Sequence, residues 1–209
     1  MKLHRQSGAS LVVTLVMLII MSLGAIGLVR SIDASLMLAS NLAFRESALL
    51  ESDAGTQAAV DWLLLWANTA NINSDQVLSG YYASAPDGLD ISGMNEESSS
   101  AVIDWDDTNC KQSSAVICQK PAPLLTTGNS GNSVRFIIHR LCRTAGNPTS
   151  SVNSCLLYRV GQSGGSAKGS ISYGAADRFT STVSVYYRIT IRVRGPRNTT
   201  VFTQTLVHF

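Results

Sequence analysis

The sequence predicts an α+β chain in which a long N-terminal helix, membrane-spanning in its first half, packs on a C-terminal antiparallel β-sheet. Three observations carry that expectation. A charge-free, mostly apolar run occupies residues 6–29. Helical spacing continues beyond it with no proline before Pro86. Strict two-residue alternation then governs residues 183–194. The period of an apolar pattern distinguishes helix from strand, because side chains repeat every 3.6 residues in one and every two in the other.

The helix comes first. Residues 9–29 number 21 without a charge, and at about 1.5 Å per residue they span one hydrocarbon core of roughly 30 Å. Lys2, His4 and Arg5 precede them, so the positive-inside bias puts the N-terminus in the cytoplasm. A cleaved secretory signal would use residues 11–21 as its apolar core, with Ser22, Gly24 and Ala25 near the cut. A one-span anchor would keep the segment, and composition does not separate the two. The following residues favour a third reading. Ile32, Leu36, Leu42, Leu49, Val60, Leu63, Leu64 and Ala67 continue at helical spacing, with Asn41, Arg45, Glu46, Ser52, Asp53, Gln57 and Asp61 on the other side. One amphipathic helix therefore runs on from the span to about residue 70, a rod of roughly 90 Å. Gly55 is its weak point, costing about 1 kcal/mol against Ala.

Residues 71–133 read as a Ser-, Gly- and Asp-rich loop region, with a turn at Ala85-Pro-Asp-Gly88 and short strands at 101–105 and 114–118. Residues 134–209 read as an antiparallel sheet. Its expected strands are 134–141, 155–160, 183–194 and 199–209, with a flexible loop at 161–170 and a turn at Gly195-Pro-Arg-Asn198. Such a sheet buries one face, and the second half of the long helix is its natural cover.

The four cysteines, 8, 24 and 13 residues apart, lack zinc-site spacing. In an exported domain they read as disulfides. Of three pairings, Cys142–Cys155 is favoured because both residues end strands joined by a turn-rich loop. Cys110–Cys118 follows by default.

No constellation for catalysis or a cofactor stands out. Of three histidines, His4 lies near the start, His208 is penultimate and His139 falls mid-strand. The last two read as ordinary strand residues rather than triad members. The run 161–170 fails as a phosphate loop because Ala167 and Gly169 replace its required Gly and Ser/Thr. Asp104, Asp106, Asp107 and Asn109 cluster oxygen ligands, but the calcium-loop Gly and distal Glu are missing. That segment reads as a solvated acidic loop with no metal, and Asn198-Thr-Thr200 as a chance sequon.

Charge is divided along the chain. Residues 31–110 hold thirteen acids and one base, and residues 111–209 hold twelve bases and one acid. Arg188, Arg192 and Arg194, joined by Arg197, fall on one strand face, with Arg135, Arg140, Arg143 and Arg159 on neighbouring strands. An exposed stripe of this kind binds nucleic acid phosphates. The acidic stretch 75–107 of the same or an adjacent subunit is the favoured partner, since the two halves nearly cancel.

A short basic leader, then Gly8, then a small residue and an unbroken apolar helix resembles the class III signal of type IV pilins and type II secretion pseudopilins. The resemblance implies a leader over 1–8, cut between Gly8 and Ala9 by a prepilin peptidase that methylates the new N-terminus. It covers about the first 60 residues. Major pilins carry Glu at the fifth mature position, and here Val13 stands there. The chain is therefore more similar to PilX-type minor pilins and K-type pseudopilins, and Asn41, Arg45, Ala48, Leu49, Asp53 and Ala54 fit the offsets of the PilX-type helix. That resemblance implies a non-enzymatic pilus subunit, a helix over 9–70 and an exported domain over 71–209. It also implies insertion in the inner membrane, then assembly with other minor pilins and the major pilin near a tip that bears a PilY-type adhesin. A DNA-binding competence pseudopilin and a minor secretion pseudopilin are the alternatives.

Overall fold

A computed structural model describes residues 9–67, 69–93, 101–108, 117–125, 131–163 and 179–209. The chain divides into two units, the first ending at Glu46 and the second beginning at Ser47. The helix α1 (Ala9–Trp66) contributes to both. Gly8 and the rest of the expected leader lie outside the described residues.

In the first unit, α1 exposes its large apolar side chains from Leu11 to Leu42. Its hydroxyls bond back to the helix: Thr14 to the Leu11 carbonyl (3.0 Å), Ser22 to Leu18 (2.8 Å) and Ser35 to Ser31 (2.9 Å). Self-satisfied polar groups suit a segment that has no water to bond to. The helix is long and apolar enough to cross a membrane.

In the second unit, α1 buries Ala48, Ser52, Gly55, Ala59 and Leu63. This corrects the expected stripe: Leu49 and Leu64 are exposed, while polar Ser52 faces the core. The reason is closeness. A Cβ added at Gly55 would stand 2.8 Å from Val134 Cγ1 and 3.0 Å from Ile191 Cγ2, so only small side chains let the helix backbone approach the sheet. The helix ends at Trp66, four residues short of expectation, and a 3-10 turn (Ala70–Asn73) follows.

The strands are β1 (Tyr81–Tyr82), β2 (Val102–Ile103), β3 (Cys118–Gln119), β4 (Ser133–Arg140), β5 (Leu157–Ser163), β6 (Phe179–Arg194) and β7 (Thr200–His208). β6 is the spine. β4 pairs with its residues 187–194 and β5 with its residues 179–185, both antiparallel, while β7 pairs along 186–194. Val185 exchanges main-chain bonds with Phe209 and Tyr186 with Leu141 and Leu156. β4 and β5 therefore share one edge of β6 end to end, as one strand interrupted by an excursion. Leu156 N–H donates to the Leu141 carbonyl (2.8 Å) at its neck, and Cys142–Cys155 closes it as expected.

Three expectations are corrected here. The sheet is mixed, because β1 joins β4 in parallel. β5 extends the line of β4 instead of lying beside it. Gly161–Ser163 belongs to β5, not to a loop; residues 164–170 lie outside the described residues. β2 and β3, also parallel, come from the expected loop region and cover the outer sheet face.

Alternation sorts the sheet residues as read. Val185, Tyr187, Ile189, Ile191 and Val193 join Val134, Phe136 and Ile138 in the core against α1. Across the sheet, Tyr82, Ile103, Trp105 and Ile137 form a second, smaller core.

Candidate functional site

The outer sheet face gathers the residues that sequence reasoning singled out. β6 presents Arg188, Arg192 and Arg194 there, and β4 presents Arg135 and His139. The segment after β2 brings Asp104, Asp106 and Asp107 over them. Arg192 grips the Asp106 carboxylate through its two terminal guanidinium nitrogens, Nη1 at 3.0 Å. Arg194 Nη1 lies 3.7 Å from the same carboxylate, and its Nη2 donates to Asn198 Oδ1 at 3.0 Å. Arg135 donates to Asp107 Oδ2 (3.1 Å) and to the Trp105 carbonyl (2.9 Å), with Lys120 4.0 Å from Asp107. The basic stripe thus faces the acidic stretch of its own chain.

The electrostatics follow. The Arg192 hydrogen bonds are the main cause holding the Asp106 carboxyl below its ordinary value. Arg192 also lies 5.6 Å from the Trp105 ring, which keeps its side chain largely out of water. Burial lowers Arg188 from its usual range, and its Nε has no hydrogen-bond partner among the described residues. Arg197 sits in the turn Pro196–Asn198 in a left-handed conformation, away from the period-two register of β6. Of the four cations read as one face, three share a strand face and two share a carboxylate.

His139 is a strand residue of β4, as expected. It is fully buried, 2.7 Å through Nε2 from Gln119 Oε1, and stacked on Tyr82 with 5.7 Å between rings. Burial, with help from Arg188, pushes it down to about 3, so it stays neutral. His208 lies instead in an aromatic group with Tyr158 (4.6 Å) and Tyr186 (5.4 Å).

Arg140 lies on β4, a neighbour of β6, as expected. It points into the helix-facing core, fully buried, and donates to Ala83 O (2.9 Å), Asn73 Oδ1 (3.0 Å) and Gly146 O (2.6 Å). It belongs to no basic face. Nothing in the strand pattern marks it, since alternation alone would call for an apolar residue.

A polar cleft of about 290 Å³ lies over these pairs, lined by Asp104, Trp105, Asp106, Arg192, Arg194 and Phe202 among others. Among the described residues no group of three or more His, Cys, Asp or Glu could hold a metal ion. Asp104 is buried and accepts from the Thr108 N–H (2.7 Å), while Asp106 and Asp107 are ion-paired but about half exposed; Asn109 lies outside the described residues. Cys118 is disulfide-bonded, and Cys110 lies outside the described residues. Val13 sits on the exposed apolar helix.

The chain matches no protein-family model, no curated protein and no solved structure.

Proposed function

We propose that this chain is a minor pilin of the PilX type, assembling with other minor pilins to prime a type IV pilus and support adhesin display at its tip. The observation that carries the reading is α1 itself. Its first half exposes large apolar side chains from Leu11 to Val29, with the Thr14 and Ser22 hydroxyls bonded back to the helix, and its second half is the lid of a sheet domain. Such a helix moves from lipid into a bundle of like helices at little hydrophobic cost, because lipid tails and leucine side chains are alike. Val13 supplies no carboxylate to pair with a neighbour's N-terminal amine, which suits a subunit at one end of a fibre. The subunit has no catalytic role in this reading. It enters the inner membrane with its N-terminus cytoplasmic, is cut after Gly8 and projects its second unit into the periplasm. Competence and secretion pseudopilins would share the architecture. The first needs a free cationic stripe, and Asp106 and Asp107 occupy much of it.

N-terminal sequencing and intact mass of the mature protein test the proposal. A start at methylated Ala9 is expected. A start near Ala25, or a retained Met1, overturns it.

A further inference from the structure

β7 is the outer strand of the sheet and, among the described residues, pairs only with β6. Phe209 exchanges both main-chain bonds with Val185. Antiparallel pairs alternate between bonded and non-bonded, so the odd-numbered residues of β7 bond to β6. The N–H and C=O groups of Thr200, Phe202, Gln204, Leu206 and His208 point outward from the sheet edge. Natural sheets blunt such edges with lysines, prolines or bulges. β7 has none: residues 200–207 are uncharged and free of proline, and nine consecutive register pairs run without a bulge. Two large apolar side chains stay in water beside the edge, Leu206 at 60% exposure and Phe202 at 37%.

The strand is also self-complementary. About Gln204 its residues mirror one another: Thr203 and Thr205, Phe202 and Leu206, Val201 and Val207. We infer that the β7 edge is a homotypic interface, in which β7 of a second copy pairs antiparallel about a two-fold axis at Gln204. In that register the outward-facing groups become the bonded pairs, giving about ten main-chain hydrogen bonds. Phe202 then faces Leu206 of the second copy on the outer side, and Val201 faces Val207 on the inner side. Thr203, whose buried hydroxyl has no hydrogen-bond partner among the described residues, faces Thr205 of the second copy, a favourable cross-strand pair. No like charges meet. A closed, isologous contact follows from this symmetry. The axis is perpendicular to the sheet, so residues 47–66 of the two copies run in opposite directions and the contact joins oppositely oriented chains. The inference does not rest on the pilin reading.

The test uses full-length protein in detergent micelles carrying Gln204→Cys, with Val152→Cys on an exposed loop as the collision control. Facing residues of a bonded pair are about 5.5 Å apart between Cα atoms, within disulfide range. Mild oxidation should convert the Gln204→Cys protein to a covalent dimer much faster than the control. Adding Leu206→Lys, an exposed change that sets a cation against Phe202 of the second copy, should abolish that advantage. Cross-linking no faster than the control overturns the interface, and so does cross-linking that survives Leu206→Lys.

Discussion

Gly55 sits where α1 comes nearest the sheet. Helix propensity says that Ala there should stabilise by about 1 kcal/mol. The added Cβ would stand 2.8 Å from a branch methyl of Val134, and overpacking of a core costs about 1–3 kcal/mol. The second effect is the larger, because Val134 and Ile191 are fully buried and β-branched, with little freedom to turn away. Gly55→Ala should therefore lower the denaturant midpoint, read by fluorescence of Trp62, Trp66 and Trp105; a raised midpoint would mean that the helix can slide off the sheet. His139 gives a second residue-scale expectation. Its folded value of about 3 lies below the ordinary 6.5, so between those values the unfolded chain binds the proton and the folded chain does not. Stability is then full above about pH 6.5 and falls as pH drops towards 3, by up to about 1.4 kcal/mol per pH unit. Asp106, depressed from 3.8, adds its loss only at the acid end of that window. His139→Gln should flatten the fall between pH 6.5 and 4 in equilibrium unfolding, and an unchanged profile would assign the acid sensitivity elsewhere.

Elements depend on how the chain leaves and rejoins the same sheet edge. β4 stops at Arg140 and β5 resumes at Leu157, and the excursion between them is held by Cys142–Cys155 and by Arg140 reaching Gly146. Arg140 also holds Asn73 and Ala83, and Gly146 N–H donates to the Asn73 carbonyl (2.8 Å). Its buried charge is compensated by oxygen acceptors from three separate segments. Replacing both cysteines by serine should cost about 3 kcal/mol, the loop-closure value for a span of this size. Amide exchange would locate the loss. Residues 143–154 should exchange faster by local opening, and the β6–β7 ladder should lose protection by about the same 3 kcal/mol, because loop closure acts on global unfolding; an unchanged ladder would show that the bridge holds the excursion alone. The Cys142–Cys155 pairing was legible, since turn residues between two strand ends bring the thiols together. The collinear path was not, because consecutive strands usually lie side by side.

At the scale of the molecule, Asp106 and Asp107 of the acidic half meet Arg135, Arg192 and Arg194 of the basic half across the outer sheet face. Exposed ion pairs contribute little energy singly, so pairs such as Arg194–Asp106 and Lys120–Asp107 orient the covering segment more than they stabilise it. The apolar part of α1 carries the remaining imbalance, an exposed surface that water does not favour and lipid or like helices do. By itself the sequence determined the long helix, the strands around β6, their inward and outward faces and the Cys142–Cys155 bridge. Each of these follows from patterns over a few residues, where periodicity and turn chemistry are decisive. Only the tertiary structure decided that α1 buries Ala48, Ser52, Gly55 and Ala59, that Arg140 turns inward, that β1 joins in parallel and that Asp106 meets Arg192. Those outcomes depend on how closely segments far apart in the chain approach one another, and local patterns of polarity do not encode that distance.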